Sequence, residues 1–172
     1  MKKNTFLQRP YFSVYSDTKE IHGKIKNYEV INFGPRVGAI LIHKNKILLV
    51  KQYRYLIDRC SMEIPGGSVN DNESIIEAVE REVMEETGCS YSKLRHLIDY
   101  YPGLDNVDNK TSIYFKVLTD LDNLPLHFSN DEIESLQWLS LPECIDLIKS
   151  GEILDAMTSL AILAYSKYEL QS

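Results

Sequence analysis

The chain has 172 residues, 44% hydrophobic and 26% charged, which is the composition of one globular domain with room for a core. Its formal net charge of −6 speaks against the basic footprint of a nucleic-acid-binding surface. The amino terminus, MKKNTFLQRP, has lysines but no apolar stretch behind them, and no apolar run approaches the roughly 20 residues that span a bilayer, so neither a secretory leader nor a membrane contact is expected. Three widely spaced cysteines (Cys60, Cys89, Cys144) have neither the even count of a disulfide framework nor the CxxC spacing of a zinc site. They read as reduced thiols of a cytoplasmic protein.

In chain order, Phe12 and Val14 alternate with serines, the period of a half-buried strand, and 28–33 reads the same way. Gly34-Pro35 breaks the chain. The apolar runs 37–42 and 47–50 flank a polar turn and predict a hairpin. Pro65-Gly66-Gly67 reads as a second break. Residues 72–88 predict a helix, with Asp71 or Asn72 as cap or Ser74-x-x-Glu77 as a capping box, and Gly88 as its left-handed stop. Strands follow at 94–101 and 113–118 around a loop at 102–110, then a short strand at 136–139. Pro142 opens a helix to about Ser150, and 154–168 predicts a terminal amphipathic helix. Strands, helix, strands, helices, with no βαβ alternation, predict an α+β fold or a mixed sheet between helices. The break at 34–35 divides the chain into N-terminal strands, 1–35, and a main domain, 36–172.

The helix at 72–88 carries the chemistry. Six glutamates stand between Glu73 and Glu86, with Arg81 the one residue of opposite sign. Like charges a turn apart repel, so a cation is expected among them. At 100° per residue, Ile75, Ile76, Val79 and Val83 form an apolar stripe. Glu82, Glu85 and Glu86 share a face beside that stripe, while Glu77, Glu80 and Arg81 fall on the far side. Carboxylates three and four apart converge within a turn and can share a hard cation through oxygen. Magnesium suits such an open set, because it keeps waters and is completed by substrate phosphates. The Gly66-Gly67 pair permits close backbone approach, so a carbonyl there can add a ligand. Arg81 can pair with a carboxylate and fix its rotamer. The Glu-Glu-x-Gly end alone suits a solvated acidic helix equally well; the complete spacing favours metal.

That spacing, Gly67-x5-Glu73-x7-Arg81-Glu82-Val83-x-Glu85-Glu86-x-Gly88, resembles the Nudix box at every fixed position, with Cys89 where a bulky aliphatic residue is usual. The resemblance implies the Nudix fold, a mixed β-sheet sandwiched between helices. It also implies hydrolysis of a nucleoside diphosphate linked to another moiety, with Mg²⁺ or Mn²⁺. Here it implies Glu82 and Glu86 as main metal ligands, Glu85 assisting and the Gly66 carbonyl contributing. A second layer of likeness, over roughly 28–165, is to the ADP-ribose pyrophosphatase branch. It rests on 50–55, on Glu63-Ile64-Pro65-Gly66-Gly67, on Pro102-Gly103, and on Trp138-Leu139-Ser140-x-x-Glu143 leading to 150–156. The branch implies a homodimer in which a small N-terminal antiparallel sheet, residues 1–35, is exchanged. This chain departs from it at Pro65-Gly66-Gly67, where Pro-Ala-Gly is usual, and after Pro102-Gly103, where Asp105 and Asp108 stand in place of a glutamate.

The expected reaction is hydrolysis of ADP-ribose to AMP and ribose 5-phosphate. Arg54 is the candidate phosphate contact, since its fork suits phosphate. Pro102 and Gly103 are candidate substrate contacts, and Tyr28 is a candidate for stacking on the base. The resemblance implies a general base from an acidic loop after the box, here 120–134, with Asp131, Glu132 and Glu134 as candidates and Glu132 favoured; Glu85 is the alternative, as in some relatives. Trp138 reads as core, and His22, His43, His96 and His127 show no ligand spacing. Two competing readings are a hydrolase of another sugar nucleotide, such as GDP-mannose, and a non-catalytic nucleotide-sugar sensor. Erosion of the glutamates would mark the sensor, and none is missing.

Overall fold

The computed structural model describes residues 3–120, 122–125 and 131–169. Its strands and helices, in chain order, are β1 (Asn4–Gln8), β2 (Ser13–Ile21), β3 (Lys24–Asn32), β4 (Arg36–His43), β5 (Lys46–Arg54), β6 (Arg59–Glu63), β7 (Gly66–Ser68), α1 (Ile75–Thr87), β8 (Arg95–Tyr100), β9 (Val107–Asp108), β10 (Thr111–Val117), β11 (Ile133–Ser140), α2 (Leu141–Ser150) and α3 (Ala156–Glu169).

A seven-stranded sheet runs in the order β11-β5-β4-β10-β8, with β6 paired to β5 and β7 to β4. Only β10 and β4 pair in parallel, so the sheet is mixed. Successive side chains of a strand point to opposite faces, and β4 and β5 are apolar on both. Val37, Ala39, Leu41 and Leu48 pack with Ala78, Val79 and Val83 of α1. Ile40, Ile42, Ile47 and Leu49 pack with Cys144 of α2 and with Ala161, Ile162 and Tyr165 of α3. The mixed sheet therefore lies between helices, as the sequence resemblance implies.

The first sheet runs β1-β2-β3-β9. Its three N-terminal strands are antiparallel, but β9, from the loop after Tyr100, joins β3 in parallel. Gly34, at a φ of 72°, turns the chain between the two sheets. Two further segments differ from the sequence reading. The break at 65–67 is in part a strand, because Gly66–Ser68 pairs with 36–38 of β4. The terminal helix begins at Ala156, where Asp155 accepts hydrogen bonds from the Thr158 amide and hydroxyl. Near the loop that precedes β11, the Trp138 indole N–H donates to the Pro125 carbonyl at 3.1 Å, and its ring lies edge-on to His43. His127 and the rest of 126–130 lie outside the described residues.

Candidate active site

Local chemistry fixes α1. Ser74 accepts from the Glu77 amide, and Glu77 accepts from the Ser74 amide, so the capping box closes; Gly88 ends the helix at a φ of 70°. Asn72 is left-handed and does not cap. Ile75, Val79 and Val83 face the sheet as expected, but Ile76 is exposed, since the stripe is narrower than four residues.

Arg81 is not on the far side of this helix from the carboxylates. Its guanidinium donates to Glu73 at 2.8 and 2.9 Å, to Glu82 at 2.8 Å, to Glu85 at 3.1 Å and to the Ser68 carbonyl at 2.9 Å. A long side chain reaches across about a turn, which a wheel of Cα positions does not register. Arg81 thus knits β7 to α1 and holds Glu82 in one rotamer. Its bonds pull the Glu73 carboxyl down to about 2.

Glu82 and Glu86 project toward β7. A Cβ on Gly67 would overlap the Glu82 carboxylate, so that glycine leaves room for it. Glu86 is 8% exposed, accepts from the Gly66 amide at 3.1 Å and lies 3.4 Å from the Gln52 amide nitrogen. Burial, with the negative charge of Glu82 nearby, pushes the Glu86 carboxyl up to about 8. Burial also raises Glu82, against the pull of Arg81.

A buried and a half-buried carboxyl, both biased toward protonation, with hard oxygen donors on open backbone beside them, fit a divalent cation. Buried Gln52 reinforces this, because its side-chain oxygen has no partner among the described residues. Among those residues no three acidic, histidine or cysteine side chains are gathered closely enough to hold a metal ion by themselves, so backbone or substrate oxygens would have to complete a site. The set is open, with Arg81 supplying positive charge at its edge.

A cavity of about 500 Å³ is lined by residues of β4, β5, β6 and β10 and of the chain just before α3. Register explains part of its wall. Gln52 faces Ser61, and Val50 faces Glu63, across β5 and β6, so Gln52, Arg54, Ser61 and Glu63 share one face. Arg54 lines the cavity but is gripped by Glu63 through both nitrogens of its fork, one bond measuring 2.8 Å. Pro102 lines this cavity, and Gly103 lines a neighbouring one of about 240 Å³.

The remaining candidates lie elsewhere. Tyr28 pairs with Asp17 in the first sheet and lines neither cavity. Asp131 and Glu132 are exposed on the bend before β11, outside the cavity wall. Glu134 accepts from Lys51 and from the Cys60 thiol, both at 2.9 Å. Sequence reasoning gave no role to Gln52 or Glu63, although both stand in the stretches that carry the resemblance. It passed over Arg36 and Ser61 altogether, since neither stands in a motif.

The family profile described as the NUDIX domain matches residues 32–157. The chain belongs to the Nudix family of hydrolases. It is 25% identical, over 94% of its length and 91% of the relative's, to an ADP-ribose pyrophosphatase of Bacillus subtilis. It is also 30% identical, over 76% of its length, to a CMP-5'-(N-acetyl-N-hydroxy-3-aminopropyl)phosphonate hydrolase of Streptomyces rubellomurinus, and that match spans 63% of the relative, slightly under two thirds. A crystal structure of an ADP compounds hydrolase superposes with a TM-score of 0.75 at 21% identity, covering 98% of this chain and 91% of that one, and shares the fold.

Proposed function

We propose that this chain hydrolyses the diphosphate bond of a nucleoside diphosphate sugar, converting ADP-ribose to AMP and ribose 5-phosphate. The observation that carries the reading is the juxtaposition of buried, proton-biased Glu86 and half-buried Glu82 with a 500 Å³ cavity whose partly apolar wall carries two arginines. The Bacillus relative and the preserved acidic helix support it.

Glu82, Glu85, Glu86 and the Gly66 carbonyl would hold Mg²⁺ or Mn²⁺. Such a cation supplies charge neutralisation for the diphosphate and makes a water more acidic. Arg81 keeps Glu82 oriented. Glu132 is the proposed acceptor of the water's proton, with Glu85 as the alternative. Arg54, Pro102 and Gly103 are proposed substrate contacts. Because Glu63 engages two nitrogens of its guanidinium and balances its charge, Arg54 meets substrate chiefly through its remaining N–H donors. Tyr28 meets substrate only in a homodimer that carries the first sheet, residues 1–35, to a neighbouring cavity. No helix among the described residues is long and apolar enough to cross a membrane, and we place the protein in the cytoplasm, acting on a small molecule rather than a nucleic acid.

ADP-ribose with Mg²⁺, assayed beside GDP-mannose and a CMP-linked phosphonate, tests the reading. ADP-ribose should be turned over fastest, and Glu86→Gln should lower kcat by at least about a thousandfold while the protein stays folded. Equal rates for wild type and Glu86→Gln would remove Glu86 from the site. Tight binding without turnover of any of the three would favour the sensor.

A further inference from the structure

Two arginines line the large cavity, and they differ in state. Arg54 is gripped by Glu63. Arg36 is half-buried, and among the described residues its guanidinium makes no hydrogen bond or salt bridge. An arginine has five donors, and withdrawing them from water without a partner is costly. Such a group on a cavity wall calls for an anion.

Its position says which part of a ligand that anion belongs to. Arg36 opens β4. It pairs across one edge with Ser68, whose carbonyl is held by Arg81, and across the other with Thr111, which lines the cavity. Its charge acts on Glu82 on one side and on Tyr100, a cavity residue, on the other. Arg36 therefore stands on the seam between the carboxylate cluster and the cavity. A second group points the same way. The Ser61 hydroxyl, 2% exposed and part of the same wall, has no partner among the described residues. The cavity thus offers an unpaired cation and an unpaired hydroxyl, while its other cation is neutralised.

We infer that Arg36 binds the substrate's diphosphate where it leaves the carboxylate cluster and enters the cavity, an inference that rests on the nucleoside-diphosphate reading above. Arg36 is then the diphosphate-binding cation of the site, and Arg54 is chiefly the partner that keeps Glu63 buried. The planar fork suits two phosphate oxygens at once, which an ammonium does not.

Calorimetric titration of ADP into the full-length chain with excess Mg²⁺ tests this, using wild type, Arg36→Ala, Arg36→Lys and Arg54→Ala. Removing a charge-assisted pair should weaken ADP about tenfold to a hundredfold in Arg36→Ala, with Arg36→Lys in between. With ADP-ribose, Arg36→Ala should raise KM by a similar factor and change kcat less. Melting temperatures of both Arg36 variants should stay near wild type, whereas that of Arg54→Ala should fall. An unchanged Kd in Arg36→Ala, a Lys variant as weak as Ala, or a wild type that does not bind ADP would each overturn the assignment. Arg36-dependent ADP binding without hydrolysis of ADP-ribose would instead sink the substrate reading and leave Arg36 in place.

Discussion

With no cation bound, Glu86 at neutral pH keeps a proton that it would release in the unfolded chain, because burial raises its carboxyl from 4.5 to about 8. Between those two values the folded protein binds more protons than the unfolded one, so stability falls as pH rises. In a chelator the melting temperature should therefore decline from about pH 5 to about pH 8, with a cost on the order of a few kcal/mol at the alkaline end. Glu86→Gln should flatten that decline and melt higher than wild type at pH 8. Saturating Mg²⁺ should restore the wild type there, since a ligand that binds only the folded state stabilises it. A melting temperature that climbs across this range in the chelator would contradict the assigned state of Glu86.

The strand β7 shows how one glycine pair can divide two tasks. A Cβ on Gly66 would strike the Val37 carbonyl and come within 2.8 Å of the Gly38 Cα, both backbone. The nearest atoms to a Cβ on Gly67 would be those of the Glu82 carboxylate, the far end of a side chain. Gly66→Ala should therefore destabilise the fold by about 1–3 kcal/mol. Gly67→Ala should cost less than about 1 kcal/mol in a urea melt, yet displace Glu82 and lower kcat at least tenfold. Reversal of that order would place the carboxylate elsewhere. The sequence showed that backbone comes close at 66–67, but not that the pair is a strand. Three residues with two glycines carry no alternation, and the pairing partner lies some thirty residues back. β1, β6 and β9 escaped for similar reasons, being short, exposed or of mixed polarity. α1 was legible because its period, capping box and glycine stop agree; the exposure of Ile76 and the reach of Arg81 were missed.

For the whole molecule, the layered arrangement was legible because β4 and β5 are apolar on both faces and must be covered twice. The acidic cluster was legible too, since local spacing defines it. The cavity was not. Arg36, Ser61 with Glu63, Thr111 and Asp155 come from four separate segments, and only the folded sheet gathers them. Arg36 on its own is indistinguishable from any arginine at the start of a strand. The proposed dimer belongs to this scale as well. Phe6 of β1, Ile25 of β3 and Tyr11 in the bend between β1 and β2 are exposed, as a face that meets a second copy would be. Sedimentation at micromolar concentration should return twice the mass of the chain, and a monomer at all concentrations would rule out exchange of residues 1–35.

Trp138 is the protein's single tryptophan, and its indole N–H is tied to the Pro125 carbonyl, at the edge of the loop nominated to supply the general base. The molecule therefore carries its own optical reporter. Indole emission depends on that hydrogen bond and on nearby water, and no second tryptophan dilutes the signal. Substrate, product and cation titrations can each be followed by the colour of one ring, in unlabelled protein and on the millisecond scale at which a loop would move.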